Sequence, residues 1–187
     1  KAFFQSFNIW LRKDYDIVIL MAGLKKNILA LQKDDRISFL KRAEKKDLKQ
    51  LSLHSIMMDY KKNLQLTDQE AGEMALFTKG YSYAFQVLGY LCFRMKQNYR
   101  DVMEQFDEKM TNNVYDIIWE DLSGKEKEIL QAIFQAKELT TQEILRSSRM
   151  NKNTYNEYRR ILISKDILVD KGYGKIDFSL PRFQEIA

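Results

Sequence analysis

The run Leu76-Phe77-Thr78-Lys79-Gly80-Tyr81-Ser82-Tyr83-Ala84-Phe85-Gln86-Val87-Leu88-Gly89-Tyr90-Leu91 constrains this chain more than any other stretch. A helix carrying Ala71, Met74, Ala75 and Thr78 on one face has to stop near Thr78-Lys79, because Gly80 lets the chain leave a helix at low conformational cost. A strongly apolar helix then starts at Ser82. Phe85, Leu88, Cys92 and Met95 line one side of it, and Ala84, Val87 and Leu91 widen that side. A stripe of that width belongs at the centre of a helical bundle. The segment therefore predicts two bundle helices joined by a tight turn.

A length of 187 residues sits between one domain and two. The net charge of +5 is mild, but its distribution is uneven. Residues 25–62 hold 11 Lys/Arg against 5 Asp/Glu, residues 63–121 hold 5 against 10, and residues 122–187 hold 12 against 9, so two basic regions flank an acidic one. Such alternation suits modules with different surfaces, and solvated helix faces produce it as well. A single cysteine, Cys92, excludes an internal disulfide framework and fits a cytoplasmic setting. No apolar run reaches the length of a membrane span, so no membrane partner is expected. The chain opens without Met inside an amphipathic pattern, as a piece of a longer protein does.

Phe3, Phe4, Phe7, Trp10 and Leu11 have helical spacing over residues 2–13. Ile17-Val18-Ile19-Leu20-Met21 is a short continuous apolar run ending at Ala22-Gly23, which reads as a strand buried on both faces, with its sheet neighbours upstream of the chain. Lys25 to Lys46 predicts one or two short basic helices. Leu48, Leu51 and Leu53 lead into a helix that begins near Ser52 or Ser55, with Ile56, Met57, Tyr60 and Leu64 inward. Thr67 and Glu70 form a capping box for the next helix. Tyr99 to Asp121 continues as helix, with Val102, Met103, Phe106, Met110, Val114, Ile117 and Ile118 inward.

The last third changes character. Ser123 and Glu126 make a second capping box, Thr140 starts a short helix, and Asn151 caps a longer one running to about Lys165. Ile167-Leu168-Val169-Asp170 and Lys175-Ile176-Asp177-Phe178-Ser179-Leu180 are strand-like runs joined by Lys171-Gly172-Tyr173-Gly174. Three helices followed by a β-hairpin is the order of a winged helix. Pro181 ends the second strand and opens a final short helix through Phe183 and Ile186.

This order resembles the C-terminal half of P-loop ATPases of the AAA+/STAND group, and most of all the prokaryotic "archaeal ATPase" family. Leu76 to Leu91 looks like that group's lid motif, and Gly172-Tyr173-Gly174 with Leu180-Pro181-Arg182-Phe183 looks like its wing and tail. The resemblance implies a mainly α fold with a small β-wing. Residues 1–50 would be the remnant of an α/β nucleotide-binding domain, 51–121 a helical lid, and 122–187 a winged-helix domain. It implies ATP and magnesium for a longer parent protein, with Ala22, Gly23, Lys79, Gly80 and Tyr81 facing the nucleotide. The chain departs from the family in two places. Ala22-Gly23 stands where a polar sensor is usual, and Lys79, or Arg94, where many relatives have arginine. No G-x-x-x-x-G-K-[ST] motif occurs in the chain, so no catalysis is expected of it alone.

On the longer C-terminal helix, Lys152, Asn153, Asn156, Arg159 and Arg160 fall on the polar side, with Tyr155, Tyr158 and Leu162 inward. Residues 146–165 hold six basic residues and one acid, Glu157, a composition suited to phosphates and base edges. Lys171 and Lys175 on the wing extend it. Double-stranded DNA is one expected partner; another protein, or a second copy, is the other, since winged helices also dock proteins. His54 has no Cys, His or acid at ligand spacing, Cys92 has no nearby base, and Asp34-Asp35 has no opposing carboxylate. These read as surface, core and loop residues respectively, as does the basic stretch Lys25 to Lys49.

Overall fold

A computed structural model describes residues 2–13, 15–23, 25–34 and 39–186. It divides into two compact units, Lys1–Leu48 and Lys49–Ala187. Asp35 of the Asp34-Asp35 pair lies outside the described residues.

In the first unit, α1 spans Ala2–Arg12 and α2 spans Lys25–Gln32. Phe7 is buried against Phe39, ring centroids 5.6 Å apart, and Leu40 is buried while its carbonyl accepts from Gln32 Nε2 at 3.1 Å. The strand expected over Ile17–Met21 does not form: residues 15–23 are irregular, and Val18 and Leu20 are 92% and 96% exposed. The reason is backbone pairing. A strand needs a neighbouring edge for its N–H and C=O groups, and in this unit the described residues supply none. Residues 41–50 are exposed throughout, so the later half of the basic stretch is a solvated surface.

The second unit begins with α3, Leu53–Leu64, whose N-cap Ser52 accepts from the Ser55 N–H. Thr67 and Glu70 form the expected box at the start of α4, Asp68–Phe77, and α5 runs Ser82–Met95. Tyr60 crosses from α3 to α5, donating its hydroxyl to the Phe85 carbonyl at 2.7 Å. Its ring lies against Gly89, where a Cβ would sit 2.9 Å from Tyr60 Cε1. Ala84, Val87, Leu88, Leu91 and Cys92 of α5 are buried, whereas Met95, expected inward, ends the helix 40% exposed.

A 3₁₀ turn at Tyr99–Val102 leads into α6, Met103–Met110, then a π-helical turn at Thr111–Tyr115 and α7, Asp116–Glu120. The π turn changes which residues face inward. It inserts one extra residue into the helical repeat, so Tyr115 becomes buried and Ile117, expected inward, is 59% exposed.

Three further helices follow: α8 (Gly124–Phe134), α9 (Thr141–Ser148) and α10 (Lys152–Ser164). An antiparallel hairpin of β1 (Leu168–Gly172) and β2 (Lys175–Phe178) comes next, then α11, Phe183–Ile186. The protein is thus mainly helical with one small two-stranded antiparallel sheet. Thr140 adds a short bridge to Lys175 on the free edge of β2. The boundary drawn at residues 121 and 122 falls inside this unit. Tyr115 donates its hydroxyl to the Pro181 carbonyl and packs on Phe183, ring centroids 5.2 Å apart, while Phe183 also meets Phe134 and Phe178. Arg182 holds Asp107 of α6 through two 2.8 Å bonds. One hydrophobic core therefore runs from Ile56 to Phe183.

Glu126 closes the second capping box and also receives the Lys165 ammonium at 2.6 Å, joining the start of α8 to the end of α10. Burial pushes this carboxyl up, but bonds from Lys165 and Ser123 outweigh it and hold it below the ordinary carboxylate value. Its stabilising effect is therefore complete above the ordinary range and is lost as pH falls through the lowered value. Replacing Glu126 with Gln is expected to cost roughly 1.5–3 kcal/mol at neutral pH, the range for a hydrogen bond to a charged group. Denaturant unfolding across a pH series should show that difference shrinking on the acid side.

Candidate functional site

Two successive residues at the end of α4 take left-handed backbone, Lys79 at φ 52 and Gly80 at φ 77. The Thr78 hydroxyl donates to the Ala75 carbonyl at 2.8 Å and accepts the Gly80 N–H at 3.3 Å. The Gly80 carbonyl accepts the Leu51 N–H at 2.8 Å. A Cβ on Gly80 would lie 2.6 Å from the Leu51 carbonyl oxygen, so only glycine fits under the lead-in strand of chain. Lys79 points the other way. Its ammonium is held by the Asp177 carboxylate at 2.9 Å and the Phe178 carbonyl at 3.1 Å, both on β2.

These contacts bear on the residues assigned to a nucleotide. Gly80 has its N–H and carbonyl engaged inside the protein, and Lys79 has its charge matched by Asp177. Tyr81 is half-buried, and burial, with Tyr83 adding to it, raises its hydroxyl. Ala22 and Gly23 belong to the other unit, exposed in its irregular segment. Arg94 donates to its neighbour Tyr90 at 2.7 Å. Among the described residues, no group of three His, Cys, Asp or Glu is placed to hold a metal ion. His54 is exposed on the first turn of α3. Cys92 is buried and its thiol is pushed up to about 11 by desolvation, leaving little thiolate at neutral pH.

The basic residues near the hairpin divide into two groups. Three are paired with acids: Arg159 with Asp170 and Lys165 with Glu126, both largely covered, and Arg146 with Glu143 at the surface. Arg159, expected on the polar face, is largely buried because it stands four residues after Tyr155 and three before Leu162, in the helix's inward row. Its guanidinium binds Asp170 at 2.9 Å and so fixes β1 against α10. The second group faces solvent. Lys152, Asn153 and Arg160 are exposed on α10, with Asn156 half-buried between them on the same row. Lys171 and Lys175 are exposed on the hairpin, beside an open hollow of about 490 Å³ that Glu138 and Asp177 also line. Arg149, which the sequence reading omitted, is exposed in the turn between α9 and α10 at φ 54. Its place in the α9–α10 turn, two residues before Asn151, was the available signal.

The geometry assembles a helix and a hairpin braced together with cations on the exposed side of each. A family described as a domain of unknown function (DUF8462) matches residues 112–185, less than half of the chain. That range starts inside the π turn, and includes both Tyr115 and its packing partner Phe183. No curated protein and no solved structure matches the chain. No helix among the described residues is long and apolar enough to cross a membrane.

Gly80→Ala is expected to cost about 3 kcal/mol, the upper end for single substitutions, because it adds both a backbone clash and a strained φ. Thermal unfolding of the variant checks this, and an unchanged midpoint would contradict it. Cys92 in the native protein should react with a thiol reagent only as fast as the chain opens, and at full rate in denaturant.

Proposed function

We propose that residues 122–187 act as a winged-helix module that binds double-stranded DNA, with α10 as the groove-facing helix and the hairpin as the wing. The observation that carries this reading is the solvent-facing row Arg149, Lys152, Asn153, Asn156 and Arg160, braced to Lys171 and Lys175 by the Arg159–Asp170 pair. Cations in such a row neutralise phosphates, and an exposed Asn near a helix N-terminus suits adenine edges. The helical bundle before it then serves as a support that shares its core, and nucleotide sensing has no role in the proposal.

The test uses the whole chain, since Phe183 and Arg182 anchor the module on α6 and the π turn. Anisotropy of a labelled duplex should show binding that weakens steeply as salt rises. Lys152→Ala and Arg160→Ala should each lower the slope of log affinity against log salt by about 1 without altering the fold. Arg159→Ala should instead lower the unfolding midpoint, because it strips Asp170 of its charged partner and unties β1 from α10. Absence of salt-dependent binding at low ionic strength would overturn the proposal.

A further inference from the structure

The hairpin tip holds an aromatic residue where a purely structural turn would not. Gly172 pairs with Lys175, and the two residues between them, Tyr173 and Gly174, both have positive φ, 51 and 74. Turns of this kind favour Asn-Gly or Gly-Gly, because a bulky side chain at positive φ crowds its own backbone. The paired strands hold Tyr173 in this conformation, and its ring gains no contact in return. Its side chain is fully exposed, and among the described residues it has no hydrogen bond, ion pair or ring partner. Six other non-glycine residues among those described share a positive φ, but Tyr173 alone among them is aromatic, and its ring is fully exposed.

The platform beneath it is rigid. The Gly174 carbonyl accepts both the N–H and the hydroxyl of Thr141, at 2.8 and 2.9 Å. The Ile176 N–H donates to the Leu139 carbonyl at 2.9 Å. One oxygen of Asp170 takes the Gly172 N–H and the other takes Arg159, each at 2.9 Å. The tip is thus tied to the start of α9 and to α10, and Lys171 and Lys175 stand exposed two residues to either side of Tyr173.

We propose that Tyr173 stacks on an unpaired base, so that the chain prefers a junction between single and double strand to a closed duplex. This rests on the nucleic-acid reading above. Within a closed duplex both faces of each base are covered by neighbours, and an unpaired base offers its face to an aromatic ring. The phosphates on either side of that base meet Lys171 and Lys175. An apolar protein or lipid patch would call for apolar neighbours, and the residues flanking Tyr173 are Lys171, Gly172, Gly174 and Lys175.

The experiment compares a blunt duplex with the same duplex carrying a short single-stranded tail, with 2-aminopurine at the first unpaired position. The whole chain should bind the tailed probe about tenfold tighter, within the size of one base–aromatic stack, and quench the 2-aminopurine. Tyr173→Phe should keep both effects. Tyr173→Ala should lose both while salt-dependent binding to the blunt duplex persists. Tyr173→Gly relieves the strained φ, so its unfolding midpoint should equal or exceed that of the parent chain while the preference disappears. Equal affinity for the two probes, or a preference that survives Tyr173→Gly, overturns the proposal and leaves duplex binding standing. Absence of binding to either probe overturns both.

Discussion

The closeness of Gly80 to the Leu51 backbone is the constraint on which the rest of the second unit depends. A side chain there has no room, so the chain must turn with glycine at φ 77 and Lys79 beside it at φ 52. That turn sets where α5 starts, and α5 buries Ala84, Val87, Leu88, Leu91 and Cys92 in the core. It also aims Lys79 at β2, where the ammonium meets Asp177 and Phe178. Gln50, one residue before Leu51, reaches the Ser179 carbonyl at 3.4 Å. A single tight turn thereby ties the bundle, the lead-in segment and the hairpin to one another.

Polar groups elsewhere in the unit repeat this pattern. Arg182 with Asp107 and Lys165 with Glu126 each join elements far apart in sequence, and each leaves one face of the protein with less free charge. What stays exposed is therefore selective. On α10 and the hairpin, the cations used for bracing lie inward and the cations left over lie outward, with Tyr173 at the extreme tip. A braced surface of this kind presents its side chains without first paying to order them, which favours binding.

The legible features were those whose causes are local. Both capping boxes need only residues three apart, and the glycine-rich hairpin turn needs only four in a row. Helix order and the inward rows of α3, α4 and α5 followed from spacing for the same reason. The features that were not legible depend on distant partners or on a shift of one residue. Lys79 reads as a free cation beside a turn until Asp177, 98 residues on, is seen to hold it. The π turn at Thr111–Tyr115 exchanges Ile117 for Tyr115 in the core, and an i to i+5 bond leaves no periodic mark. Ile17–Met21 has the composition of a buried strand, but composition cannot supply the pairing edge. Arg159 could have been read, since its distance from Tyr155 and Leu162 places it inward; its charge argued otherwise.

The central claim is that bundle and hairpin form one cooperative body held at the Gly80 turn. Native-state hydrogen exchange of the chain measures it most directly. Slowly exchanging amides in α5, α8 and β2 should open with the same free energy and respond together to denaturant. If the β2 amides open separately, at markedly lower free energy than those of α5, the hairpin is an independent module and the account is wrong.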